Sequence, residues 1–264
     1  MSSARLGGLL AATVTAAAAA AAGPPAPPSP APVVNLKVAL NCTGPISVVS
    51  PHFVGVNADW WLPGCGGEGS QWAPNASIAR LDLANPRLRA LASALSGATW
   101  RIGGTHGDSV VYAVPGAAGS CDAQPQPRCY PICLTMERWE EIVGFAADAG
   151  LRLAFGLNLK TKDTANIEAL LNYTRAGNLT VDTFELGNEL GSGPTQRFGP
   201  SVRQLVARLW PTGRGPAAPL LAGPDDAGDG DPTEAEFRAL VRQQRFLDAL
   251  TFHAYPYHHG GGPT

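Results

Sequence analysis

An acid and an amide stand side by side where an apolar run gives out. Residues 181–186 read as a short β-rich stretch that continues into Gly187-Asn188-Glu189 and then into Leu190-Gly191-Ser192-Gly193. In (β/α)8 enzymes the working groups sit where strands give way to loops, so a strand ending this way delivers a carboxylic acid to the rim of a cleft. The Asn188-Glu189 pair suits cleavage of a glycosidic bond. One carboxylic acid protonates the departing oxygen while the neighbouring amide holds a sugar hydroxyl. A plain surface turn after a buried strand is the competing reading, and the rest of the chain must separate the two. Other reactive residue types are thinner. Cys121, Cys129 and Cys133 lack both the paired Cys-x-x-Cys spacing and the adjacent His of a zinc site. His253, His258 and His259 lie near one another, but no metal or cofactor is expected there.

What must position Glu189 is a rhythm of strands and helices. Apolar, strand-like runs occur at 53–56, 98–102, 151–157, 181–186, 219–222 and 249–252, and helical periodicity at 86–94, 136–149, 165–176, 200–209 and 233–248. Alternation at this spacing predicts parallel strands with helical crossovers. The runs end in polar or glycine residues: Asn57-Ala58-Asp59, Gly103-Gly104-Thr105, His253-Ala254-Tyr255. Polar groups at so many strand ends favour a barrel over an open doubly wound sheet. The first strand is followed by no Gly-x-Gly-x-x-Gly fingerprint, which argues against a dinucleotide fold. The expected fold class is therefore α/β, a (β/α)8 barrel represented by about six of its eight strands. Before it, residues 33–40 alternate as a half-buried strand does, and 46–49 are expected to pair with them.

Composition allows this. With 264 residues, 45% of them hydrophobic and 15% charged, the chain can bury a substantial core. A net charge of −2, without a dense Lys/Arg cluster, argues against nucleic-acid binding. Residues 1–22, with Arg5 ahead of an alanine-dominated apolar run, read as a signal peptide. The stretch 23–32 is a Pro-rich extended spacer, 33–50 supplies accessory strands, and 51–264 is the partial barrel. Asn-x-Ser/Thr sequons at Asn41, Asn75, Asn172 and Asn178 and five cysteines (Cys42, Cys65, Cys121, Cys129, Cys133) suit an oxidising, exported setting. Secretion is the expectation, with a lysosomal or vacuolar destination or membrane retention as alternatives.

Several pieces in order resemble the heparanase and heparanase-like family of retaining endo-β-glucuronidases, especially its plant-type members. They are Ala58-Asp59-Trp60-Trp61-Leu62-Pro63, Leu81-Asp82-Leu83-Ala84-Asn85-Pro86, Trp100-Arg101-Ile102-Gly103-Gly104-Thr105 and Cys133-Leu134-Thr135-Met136-Glu137-Arg138-Trp139. Phe155-Gly156-Leu157-Asn158, the run from Phe184 to Glu189, Ala222-Gly223-Pro224-Asp225 and Thr251-Phe252-His253-Ala254-Tyr255 complete the series. The resemblance implies an eight-stranded barrel with a small β-sandwich and hydrolysis of internal glucuronosyl linkages, with a glucuronic-acid-containing polysaccharide or proteoglycan as partner. It implies Glu189 as acid/base and Asn188 as its sugar-binding neighbour. Asp59, Thr105, His253 and Tyr255 match substrate-contacting positions, and Arg101 is expected to point into the barrel and steer a carboxylate. In that family the nucleophile lies on the seventh strand, which this chain does not reach. As a chain without the second catalytic Glu, it is expected to be inactive by itself.

Glu185 is better read as a buried partner of Arg101 than as a replacement nucleophile. Along an extended strand it would stand about 13 Å from Glu189, at ~3.3 Å per residue, whereas a retaining pair needs roughly 5 Å. Asp226, Asp229 and Asp231 would repel a sulfated chain, so an unsulfated glucuronide is the expected substrate. Trp60, Trp61 and Trp72 are candidates for stacking on sugar rings, with core packing as the commoner fate. His106 and Asp108 read as loop residues. Two other functions fit the same residues: a non-catalytic glycan-binding derivative, and another barrel glycosidase such as an arabinofuranosidase.

Overall fold

A computed structural model describes residues 47–50, 52–61, 77–117, 131–159, 164–189, 200–226 and 247–253. Contacts divide the chain after Ser47, and the architecture below is that of the unit beginning at Val48.

Six strands form one parallel sheet, built in the order β1 (Gly55–Asp59), β2 (Thr99–Gly103), β5 (Arg152–Leu157), β6 (Thr183–Leu186), β7 (Leu220–Asp226) and β8 (Ala249–Phe252). The sheet curls into part of a (β/α) barrel. Because every pairing is parallel, each connection must cross back over the sheet. Helices α1 (Pro86–Ser93), α2 (Met136–Ala149), α3 (Ala165–Ala176) and α4 (Pro200–Leu209) supply crossovers among the described residues. The registers Asp59↔Gly103, Gly156↔Glu185 and Glu185↔Ala222 bring the C-terminal ends of neighbouring strands to one edge.

Local sequence explains where the helices start. The Asn85 carboxamide accepts hydrogen bonds from the N–H groups of Arg87 and Leu88, and Pro86 fills the first helical position of α1. Thr135 caps α2 through Arg138 N–H at 3.2 Å, and Gly150 ends that helix at φ 68°, a left-handed conformation glycine adopts without strain. The inward stripe of α2, including Trp139, Ile142, Val143, Phe145 and Ala146, is buried as its periodicity predicts. Trp139 packs on Phe155 of β5 with ring centroids 4.6 Å apart and donates its indole N–H to Thr174 of α3 at 3.0 Å. One aromatic thus ties two helices to the sheet.

Three sequence expectations are corrected. Residues 47–49, the described part of the stretch 46–49 expected to pair with 33–40, form no strand; Val48 and Val49 are exposed. The first barrel strand starts at Gly55 rather than Phe53, because Phe53 and Val54 lie outside the sheet and face solvent. A second, two-stranded parallel sheet was not anticipated: β3 (Val110–Ala113) pairs with β4 (Ile132–Thr135). Asn166 at the start of α3 supports its edge, accepting from Tyr112 N–H at 2.9 Å and donating to the Tyr112 carbonyl at 2.8 Å. The expected helix at 233–248, the strand at 33–40, the sequons Asn41 and Asn75, and Trp72, Tyr255, His258 and His259 fall outside the described residues.

Candidate active site

At the common edge of the sheet the strands give out in Asp59, Gly103, Asn158, Glu189, Asp225 and His253, and the side chains of several of them meet. Strand β6 stops at Leu186; Gly187 takes φ 92° and Glu189 φ 44°, so the chain turns sharply before the acid. The extended-strand separation of Glu185 and Glu189 therefore does not apply. Both belong to one network, reached by different routes.

Arg101 of β2 is the hub. Its Nε donates to Glu185 Oε2 at 2.6 Å and its Nη1 to Asn57 Oδ1 at 3.1 Å. Nη2 donates to Asn188 Oδ1 at 3.0 Å and also to Asp225 Oδ2. A guanidinium offers five N–H bonds, and four are spent on the protein's own oxygens. The expected pairing with Glu185 is present, while steering of an incoming carboxylate has little donor capacity left. Burial works against the Arg101 charge, but Glu185 and Asp225 outweigh it and raise its pKa. Burial also lifts the Glu185 carboxyl above its usual range, with Asp225 adding to the rise and Arg101 opposing it.

His253, just after β8, bridges the other two carboxylates. Its Nδ1 is 2.6 Å from Glu189 Oε1 and its Nε2 is 3.0 Å from Asp225 Oδ2. Its hydrogen bond to the Asp225 carboxylate raises its pKa to about 9, against burial and with help from Glu189. At neutral pH the ring is a cation donating from both nitrogens.

The remaining expected residues fall around this network. Asn188 is buried, and its Nδ2 has no partner among the described residues. A buried amide donor left without a protein partner is costly. Asp59 lies at the end of β1, and burial raises its pKa against the pull of the Trp60 N–H and the Arg101 charge. It sits over Gly104, where φ is 95° and a Cβ would collide with the Asp59 carboxylate. Thr105 follows at the same edge and is exposed. Trp60 is not a stacking platform: it is fully buried against Phe155, at 6.1 Å between centroids. Trp61 is half-buried with its ring edge-on to His106 at 4.1 Å. Asp225 was given no role from sequence, although Gly223-Pro224-Asp225 repeats the pattern of an apolar strand ending in an acid.

A cavity of about 480 Å³ opens at the opposite, N-terminal ends of the strands, between α3, the end of α4 and the turn before β7. Phe184, Trp210 and Pro219 line it, and no carboxylate does. Its walls therefore offer none of the acid/base groups gathered at the other edge. Among the described residues no cluster of His, Cys, Asp and Glu is arranged to hold a metal, and no helix is long and apolar enough to cross a membrane.

A curled parallel sheet presenting Asn-Glu at a strand end defines a barrel of the glycoside-hydrolase type. Residues 35–263 match the model of glycosyl hydrolase family 79, N-terminal domain, and the chain belongs to that family. Among its relatives, heparanase-like protein 3 of Arabidopsis thaliana is 31% identical over 239 residues, covering 80% of this chain and 43% of the relative. Heparanase-like protein 2 of the same plant is 28% identical over 248 residues, 83% and 45% respectively. The chain thus spans less than half the length of these relatives.

Proposed function

We propose that this chain carries the acid/base half of a retaining β-glucuronidase-type site acting on extracellular or cell-wall glycans. The observation that supports it best is the pairing of Glu189 with the open Nδ2 of Asn188 at the C-terminal end of β6. In the first half-reaction the Glu189 carboxylic acid donates its proton to the departing glycosidic oxygen; in the second its carboxylate takes a proton from water. Asn188 Nδ2 donates to a sugar hydroxyl, which completes the hydrogen bonding of that amide. Asp59, Thr105, His253 and Tyr255 remain proposed as groups on the substrate's side of the cleft. Arg101 serves instead to hold Glu185, Asn188 and Asp225 in place. Glu185 does not act as nucleophile, since its Oε2 is held by Arg101 at 2.6 Å.

The setting proposed is the secretory route. Support comes from the alanine-rich leader at 1–22, from exposed sequon residues Asn172 and Asn178, and from Cys133, which is disulfide-bonded. A preference for unsulfated glucuronides rests on the acidic run that begins at Asp226.

The test compares aryl β-glucuronide, aryl β-glucoside and heparan sulfate as substrates of the full-length protein, with Glu189→Gln alongside. Glucuronide turnover that falls by about 10²–10⁴ in the variant is expected, as for loss of a general acid. Azide should restore cleavage of an activated aryl glucuronide by Glu189→Ala. Binding of glucuronides without any cleavage would favour a lectin-like derivative, and preference for a neutral glycoside would sink the substrate assignment.

A further inference from the structure

One residue without an assigned role holds the proposed proton donor from two sides. The backbone N–H of Glu189 donates to the Asp225 carbonyl oxygen at 2.8 Å. The Glu189 side chain reaches Asp225 again through His253, with contacts of 2.6 and 3.0 Å. Backbone and side chain thus close a ring of three residues. Asp225 is itself well anchored: its N–H donates to Thr251 Oγ1 at 3.1 Å, its Oδ2 also meets Arg101 Nη2, and its φ is 56°. With 3% of its side chain exposed, water can do little to satisfy that carboxylate, and its protein partners must.

We propose that Asp225 is a positioning residue for Glu189: as an anion it orients the His253 ring, and the ring in turn fixes which way the Glu189 carboxylate points. This rests on the reading of Glu189 as the proton donor. The charged groups acting on the ring are Asp225 on β7, Glu189 after β6, Arg101 on β2 and Glu185 on β6, with Asn57 and Asn188 as neutral partners of Arg101 and Asp59 on β1 acting on Arg101. Both cations touch Asp225; Arg101 is also tied to Glu185 and Asn188, whereas the His253 ring contacts Asp225 through one nitrogen and Glu189 through the other. With Nε2–H committed to Asp225, Nδ1–H has one direction available, towards Oε1 of Glu189.

Asp225→Asn keeps the shape and removes the charge, and two readouts separate positioning from mere support. The first is isotope-edited NMR of the histidine rings in the full chain. In Asp225→Asn the His253 titration should fall from about 9 by a unit or more, and its Nδ1 resonance should move towards the value seen in Glu189→Gln. The second is leaving-group dependence. Turnover of an aryl glucuronide with a poor leaving group should drop roughly 10²-fold, the range of lost acid catalysis, while an activated one changes little and KM is nearly constant. An unmoved His253 titration overturns the proposal, as does an equal loss for both leaving groups. Should Asp225→Asn not fold, His253→Gln must give the same leaving-group pattern, and failure to do so is equally fatal. If the full-length protein cleaves no glycoside, the assignment of function fails, yet the NMR comparison still decides whether Asp225 controls the His253–Glu189 contact.

Discussion

Replacing Arg101 by Met tests whether the cleft is organised around a buried cation. Arg101 Nε lies 2.6 Å from Glu185 Oε2, and the carboxylate side chains of Glu185 and Asp225 are only 8% and 3% exposed. Methionine fills similar space along the stem but leaves both acids without their cation. Breaking a buried pair by removing one partner costs about 3–5 kcal/mol. At roughly 2–4 °C per kcal/mol for a domain of this size, the Tm should fall by about 6–20 °C near neutral pH. The loss must depend on pH. Burial already raises the Glu185 pKa and Arg101 pulls it back, so without Arg101 the folded-state value rises further above the unfolded one. A carboxyl group shifted upward destabilises the fold above its unfolded pKa and ceases to do so once it is protonated in both states. The difference between variant and wild type should thus be largest at pH 7–8 and shrink as the pH falls towards about 4, near the ordinary carboxylate pKa. Urea denaturation at pH 7.5 and 4.5 measures both. Arg101→Lys, which keeps charge but not the fork, should lie between. A loss under about 1 kcal/mol, or one of equal size at the two pH values, would refute the reasoning.

Two further outcomes follow from the same edge of the sheet. Gly104→Ala forces a side chain into φ 95° and against the Asp59 carboxylate; about 1–3 kcal/mol of backbone strain alone is expected, visible as a lower urea midpoint, and an unchanged midpoint would remove Gly104 from the cradle of Asp59. His253, raised to about 9, binds its proton more tightly in the folded state. The stability it contributes is fully present below its unfolded pKa near 6.5 and is lost as pH rises through 9, on the order of 1–2 kcal/mol after solvent screening; His253→Gln should flatten that decline in a Tm-against-pH series.

The elements with long periodicity were legible in the chain, and those made by tertiary pairing were not. Helices α2, α3 and α4 and strand β8 have the bounds their apolar patterns predict. Each is punctuated or periodic enough for local chemistry to decide. Phe53 and Val54 misled because apolar character alone does not place a residue in a sheet: the register Gly55↔Thr99 does. Strands β3 and β4 stand apart from the six-stranded sheet, outside its strand–helix rhythm, and exist because each pairs with the other. Glu189 and Asn188 could be read from a strand end. Asp225 could not be given its part, because its neighbours are Thr251, 26 positions along the sequence, and Arg101, 124 positions away.

Strain at the rim points the same way as the hydrogen bonds. Among the described non-glycine residues only Asn178, Glu189 and Asp225 have positive φ, and the last two face each other across neighbouring strands. Such conformations cost about 1–3 kcal/mol each and persist where the surroundings over-determine them. Here the surroundings are specific. Gly187 and Gly223, at φ 92° and 152°, make the adjoining backbone turns, and the Glu189 N–H to Asp225 carbonyl bond links the two strained residues directly. A relaxed, extended ending to β6 would carry Glu189 along the strand direction, away from His253. The twist at Gly187 instead sets its carboxylate 2.6 Å from the imidazole while Asn188 stays under Arg101. Stability alone gives no reason to keep two unfavourable backbones beside three carboxylates. Holding one acid at a defined point over the cleft does, and that is the physical case for treating this edge as a site rather than a turn.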